Sequence, residues 1–431
     1  MQRYQRFLPL LALAGAWFLF FWRFAAPGDR VMYPPGDFTF QFGAFRDVGY
    51  RAVVAGRFPL WVNCLDAGYP FHADPQAQVF YPPLWLTFGV LRLGGWGHFP
   101  IEALIAEVAF HYLFLSVFLY LFLRSRALRR PAALLGALVF TYGGYLTGSP
   151  PLQTATLEVN TWLPLVLLFT GRFAETRRRH HLALTALMLG LAFLAGHPQT
   201  FVYVALLALA YFTFRAWEMR WPFRSLVIGL AGLIGLTAAL AAVQLIPSAH
   251  FILSSTRASV DFEQAAHGFP FQDILQFFLT GFVSYWHPLY VGLLPLGLAA
   301  FALTRPGGEV RFWAGAALVS LILSFGAKGV AYEVAYWLVP GYRLFREQER
   351  LALVVSFSLA VLAAFGAHHL FGPLARSVRR RLTRFQSAGR FFFATSLALL
   401  ALFTYLARLG FDPSDWRQLP NRAGVMVLGS G

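Results

Sequence analysis

Long apolar runs, broken by short arginine-bearing segments, set the pattern of this chain. Residues 7–22, 101–123, 131–147, 161–171, 181–195, 200–214, 225–246, 289–303, 312–325, 351–371 and 391–407 are dominated by apolar side chains. A helix needs about 20 such residues to cross a bilayer, so the pattern predicts an all-α polytopic membrane protein with about eleven transmembrane helices. One further apolar run, 82–93, is too short to span and reads as a re-entrant or interfacial helix. Arg3 and Arg6 precede the first run, which reads as a retained signal anchor with its N-terminus in the cytoplasm. Arginine clusters at 124–130, 177–179, 215–224, 305–311 and 375–390 then fall on the inner side, and most carboxylates fall on the outer side. This topology puts residues 1–410 in a transmembrane domain and residues 411–431 in an extracytoplasmic tail.

One stretch breaks the apolar pattern. Residues 36–81, within a first extracytoplasmic loop spanning 25–100, carry Asp37, Asp47, Asp66 and Asp74, arginines 46, 51 and 57, His72, and amides at Gln41, Asn63, Gln76 and Gln78. An acid- and amide-rich loop held at the surface of a helical bundle is where the sequence directs a search for chemistry.

Composition narrows the class. The chain has 431 residues, 58% of them hydrophobic and 13% charged, with a mean hydropathy of +0.57; soluble domains run near about 25% charged. The net charge of +16 follows the inner loops and does not point to nucleic acid. Cys64 is the single cysteine, which excludes an intramolecular disulfide and cysteine-rich metal sites. Lys328 is the only lysine; this arginine bias suggests a GC-rich bacterial genome, and hence the bacterial cytoplasmic membrane.

Several side chains admit two readings. Asp37 ends a Pro-Pro-Gly-Asp turn and reads either as the N-cap of a helix over 38–54 or as a general base or metal ligand at the membrane surface. Asp74, before Pro75, reads as turn chemistry or as a second catalytic carboxylate. Arg46, Asp47 and Arg51 read as a solvated face or ion pairs. His72 and His197 read as hydrogen-bonded structural residues or metal ligands. Arg257, Arg346 and Arg350 read as interfacial anchors or as a phosphate clamp; Arg343, Arg346 and Arg350 have the spacing of one helical face. Tyr142, Tyr145, Trp162, Trp286 and Tyr290 read as an interfacial aromatic belt. No phosphate loop, dinucleotide fingerprint, zinc-protease motif or serine–histidine–aspartate set is present.

Gly36-Asp37 with Gln41, the stretch GRFPLWVNCLDAGYPFHADPQAQVFYPP (56–83), GHPQ (196–199), Pro247 with 254–257, YVGLLPL (290–296) and FREQER (345–350) occur in an order that resembles the YfhO-type branch of the GT-C membrane glycosyltransferases. Members of that branch are often longer, with further spans and an outer domain. The resemblance implies a GT-C-like bundle that moves a sugar from a polyprenyl-phosphate donor to a glycan, lipid or protein acceptor at the outer face. It implies Asp37, and less directly Asp74, as catalytic base or as ligand of a divalent ion (Mg or Mn). Arg257, Arg346 and Arg350 would then meet the donor phosphate, and Gln41, Trp61, His72, Gln76, Tyr81, His197 and Gln199 would contact substrate. Two other classes share much of this surface. A transporter or flippase of lipid-linked sugars should carry ionisable residues in mid-span, as Glu107 and His111 do. A non-catalytic subunit of a membrane complex would need neither.

Overall fold

Helix is the only regular secondary structure among the described residues, apart from one isolated antiparallel bridge between Val62 and Tyr69. The computed structural model describes residues 7–25, 36–63, 67–148, 153–255, 262–280, 286, 288–338 and 342–371. Arg257, the run 391–407 and the tail 411–431 lie outside them.

Helix α1 (Leu8–Ala25) is followed by a π-helical turn, Asp37–Gly43, that runs directly into α2 (Ala44–Val54). The apolar run 82–93 forms the twelve-residue helix α3 (Pro82–Leu93), started by its two prolines. The bundle proper comprises α4 (Ile101–Ser125), α5 (Arg130–Thr141), α7 (Thr154–Thr176), α8 (Arg179–Leu194), α9 (Pro198–Glu218), α10 (Phe223–Leu253), α12 (Leu293–Leu303), α13 (Gly308–Ser324) and α15 (Ala352–Leu370). Short helices α6 (Gly144–Thr147), α11 (Phe262–Ala265) and α14 (Val330–Leu338) fill the connections. Among the described residues, four segments are long and apolar enough to cross a membrane: α4, α9, α10 and 348–370.

Two helices run through prolines that the sequence would use as stops. Helix α7 contains Pro164 and α10 contains Pro247. The proline penalty is offset at α10 because continuing past Pro247 delivers Ser248, whose hydroxyl donates to the Ala73 carbonyl at 2.8 Å. The run 131–147 does the opposite. It breaks at Tyr142 and Gly143 into α5 and α6, where a Cβ on Gly143 would run into the Val139 carbonyl.

Helix α15 is the hub. It is apolar on all sides, buried almost throughout, and packed against α5, α12 and α13. Small residues allow these helices to approach closely. A Cβ on Gly366 would collide with the Leu298 carbonyl, and one on Gly136 would lie 2.8 Å from Ala364 Cβ. An aromatic group of Phe122, Phe140, Tyr211, Trp313 and Phe357 fills the centre; Phe140 and Phe357 meet edge-on at 5.0 Å, and Trp313 lies 5.6 Å from Phe357. Helix α10 is different: only 22% of its most apolar window is buried, leaving Val227, Ile234, Leu240, Val243 and Ile246 outward. An apolar face of that extent suits lipid rather than water.

One end of the bundle is tied by charge. Glu309, at the start of α13, lies 3.0 Å from Arg126 at the end of α4, and accepts from Tyr211 and Trp313 at 3.0 Å each. Glu175, at the end of α7, lies 3.0 Å from Arg126 and 2.8 Å from Arg215. These are the helix ends next to the arginine-rich connections, and the first loop docks at the opposite ends.

Candidate functional site

Asp37 opens the π-helical turn. Gly36 precedes it at φ +93°, a conformation open to glycine, and acts as the cap residue. The Asp37 carboxylate makes no capping bond, so the N-cap reading of this residue does not hold. Asp37 is exposed and has no hydrogen-bond or ion-pair partner among the described residues. One turn on, Gln41 Nε2 donates to Gln76 Oε1 at 2.8 Å, which ties the turn to the 71–78 segment.

Asp74 has the capping role instead. It precedes the short 3-10 helix Pro75–Ala77, its Oδ1 accepts from the Gln76 N–H at 2.8 Å, and its Oδ2 accepts from the Tyr69 hydroxyl at 2.7 Å. It is buried. His72 Nδ1 lies 2.8 Å from the Leu60 carbonyl, and Gln244 Nε2 donates to the His72 carbonyl at 3.0 Å. Trp61 is exposed, and its ring lies so near Gly68 that a Cβ there would strike it. Among the described residues, no three His, Cys, Asp or Glu side chains gather as metal ligands. Both Asp74 oxygens already have partners, which leaves this carboxylate poorly placed to bind Mg or Mn.

The 71–78 segment is anchored by a buried polar network. Arg46, on α2, is 1% exposed; its Nε donates to Glu107 Oε2 of α4 at 2.9 Å, and its Nη2 donates to Gln78 and lies 3.4 Å from Glu158 Oε1 of α7. Gln78 Nε2 donates in turn to Glu158 and to the Ala195 carbonyl. Gln78 adopts a left-handed backbone, φ +55°. Burial by itself would lower the Arg46 pKa, but Glu107 and Glu158 outweigh it and hold the guanidinium above its ordinary value. Arg46 therefore faces the bundle interior, not a solvated surface; only Asp47 and Arg51 form the exposed i,i+4 pair that their spacing predicts.

Tyr81 extends this network. Its hydroxyl lies 2.9 Å from His111 Nε2 and accepts from Trp162 Nε1 at 3.0 Å, while His111 Nδ1 sits 2.6 Å from the Glu107 carbonyl. Burial, then the charge of Glu158, push the Tyr81 phenol well above its ordinary pKa. Glu107 and His111, the ionisable pair of α4, are thus both engaged by the first loop. Tyr145 is buried and Trp162 half-buried, so these two of the expected belt do not sit in an exposed aromatic rim.

The GHPQ and FREQER segments meet at the same end. Gly196, φ +85°, fits against Pro75 and Gln78 so closely that a Cβ would strike the Pro75 carbonyl. His197 Nε2 lies 3.1 Å from Arg350 Nη1, and its Nδ1 lies 2.9 Å from Thr200 Oγ1. A guanidinium always donates, so Nε2 accepts from Arg350, while Nδ1 faces the Thr200 backbone N–H at 3.2 Å at the start of α9. Burial, and then Arg350, push His197 down to about 3, which keeps it neutral. Gln199 Oε1 accepts from Arg350 at 3.3 Å, and Gln199 Nε2 donates to the Arg346 carbonyl at 2.6 Å. The 342–351 segment is not one helix. Two 3-10 turns, Tyr342–Leu344 and Gln348–Leu351, flank Glu347, which has a left-handed backbone. This break places Arg346 and Arg350 on either side of the Glu347 carboxylate, where a continuous helical face was expected. Arg350 pairs with Oε2 and Arg346 Nε lies 3.5 Å from Oε1.

Of the sequence candidates, Gln41, His72, Asp74 and Gln76 come together in the first loop, and His197, Gln199, Arg346 and Arg350 come together beside it. The Pro75–Gly196 contact joins the two groups. Arg46, Gln78 and Glu158 were not foreseen as a unit. The available signal was a glutamate set among the apolar residues of each of two helices, Glu107 in α4 and Glu158 in α7. No family model matches the chain, and comparison with curated proteins gives no match.

Proposed function

We propose that the chain is a multi-pass membrane glycosyltransferase that moves a sugar from a polyprenyl-phosphate donor to an acceptor at the outer face of the cytoplasmic membrane. The observation that carries this reading is the convergence of segments 37–41, 71–78, 196–199 and 346–350 at one end of an apolar helical bundle. A lipid-linked donor leaves its phosphate at that level, and two arginines there supply countercharge. In this reading about eleven helices cross the bilayer, and α3 lies at the interface with Leu86, Val90 and Leu93 toward lipid.

The two carboxylates take different roles. Asp37 is exposed and unengaged among the described residues, so it is the one able to take the acceptor proton. Asp74 spends its oxygens on Tyr69 and Gln76 and shapes the loop. The alternative is a transporter or flippase of lipid-linked sugars, for which Glu107 and His111, bound to Arg46 and Tyr81, are the ionisable pair.

The test is transfer from radiolabelled polyprenyl-phosphate sugars in proteoliposomes. Asp37→Asn should lower turnover by about two orders of magnitude or more while expression and donor affinity stay near those of the parent chain. An Asp37→Asn variant with ordinary turnover refutes the base assignment, and no transfer from any donor by the parent chain refutes the enzyme reading.

A further inference from the structure

The Glu347 carboxylate sits between two guanidiniums, its Oε2 on Arg350 and its Oε1 3.5 Å from Arg346 Nε. Two oxygens spread between two arginines is also the arrangement a phosphate group adopts in a clamp. We propose that Glu347 is a built-in counter-anion that holds the place of an incoming phosphate and swings away when the phosphate binds. This rests on the reading of Arg346 and Arg350 as the anion clamp.

Three features distinguish this from an ordinary surface ion pair. First, Glu347 has φ +59° and ψ +67°, a left-handed conformation that non-glycine residues adopt at a cost. The backbone is fixed there by Gln199 Nε2 reaching the Arg346 carbonyl and by the Arg350 N–H donating to the Glu347 carbonyl at 3.1 Å. That strained residue aims the carboxylate between the arginines. Second, Arg350 has anchors of its own in His197 Nε2 and Gln199 Oε1. It stays aimed when the carboxylate departs, and neutral His197 adds no competing positive charge. Third, both partners of the exchange have room to move. The Glu347 side chain is 34% exposed, and that of Arg346 is 64% exposed, with Glu347 its only ion-pair partner among the described residues. Arg346 can therefore close on an anion from solvent while Glu347 turns outward.

The ligand class is a phosphate carried on a lipid or free in solution. The full chain in nanodiscs is titrated with inorganic phosphate and, separately, with undecaprenyl phosphate, using undecaprenol as control. Glu347→Gln removes the competing charge, and Glu347→Gly also relieves the left-handed strain, so a folding defect in both is not expected. Each should bind phosphate about two- to fivefold more tightly than the parent chain, the range of a partly exposed ion pair. Arg350→Ala should abolish binding. A gain with both probes points to free phosphate, and a gain confined to undecaprenyl phosphate points to the lipid headgroup. If binding depends on Arg350 but both Glu347 variants bind equally or more weakly, Glu347 is a scaffold and the proposal fails while the clamp stands. If binding survives Arg350→Ala, or the parent chain binds neither probe, the clamp and the proposal fall together.

Discussion

Arg46 offers the sharpest test of how the first loop is held. Arg46→Met removes a guanidinium that is 1% exposed and keeps most of its apolar volume. It leaves Glu107 and Glu158 without their shared cation and Gln78 without its donor. Breaking a buried ion pair from one side costs about 3–5 kcal/mol. Here one arginine serves two carboxylates, so the upper part of that range applies. Part of the loss can be recovered. Adding Glu107→Gln and Glu158→Gln removes the stranded charges, and a neutral substitute for a buried ion cluster is often close to isoenergetic with the original. The triple variant should therefore regain most of what Arg46→Met alone loses, a coupling of about 0.5–3 kcal/mol between sites in contact. Thermal unfolding of the detergent-solubilised chain, followed by tryptophan fluorescence, gives the comparison. Equal unfolding temperatures for the parent and Arg46→Met would refute the anchor. So would a triple variant no more stable than the single one.

His197 should impose a pH dependence. In the unfolded chain it titrates near 6.5, but the fold holds it at about 3. Between those values the unfolded chain binds the extra proton, so stability is complete above pH 6.5 and declines toward pH 3, by a few kcal/mol at most; His197→Gln should flatten that decline in unfolding midpoints. Gly366→Leu should destabilise by about 1–3 kcal/mol or more, because its side chain would have to displace the Leu298 carbonyl between α12 and α15; normal monodispersity and unfolding temperature would contradict that packing. With Cys64 replaced by alanine, a cysteine at exposed Arg57 should react with an impermeant thiol reagent in intact cells, and one at exposed Arg178 only after lysis. The reverse pattern inverts the topology.

The helices were legible because apolar runs are long and arginines mark their ends. The apolar run 161–171 covers only part of α7, because Glu158 and Asn160 interrupt the apolar pattern. In the fold those polar groups are buried in α7, where Glu158 meets Arg46 and Gln78. The 343–350 arginines kept helical spacing in sequence, and only the left-handed backbone at Glu347 separates them into two turns. Asp37 and Asp74 stand out in sequence, but which carboxylate caps a turn depends on the Tyr69 and Gln76 contacts formed in three dimensions. The meeting of 196–199 with 346–350 has no local signature at all.

The order of charges along the chain bears on how the protein is made. A charged residue on an inserting helix carries a penalty at the translocon that reaches about 2.5–3.5 kcal/mol at the helix centre, and α4 and α7 each bring, within their first two turns, a carboxylate that ends up on Arg46. Arg46 is synthesised before both of them. In the proposed topology it already waits at the outer face, on an amphipathic helix, when α4 and later α7 leave the translocon. The partner that neutralises these helices is thus delivered ahead of them. Moving the arginine to a position after α7 would leave the finished network unchanged on paper, yet would leave two helices to enter the membrane with their charges unmatched.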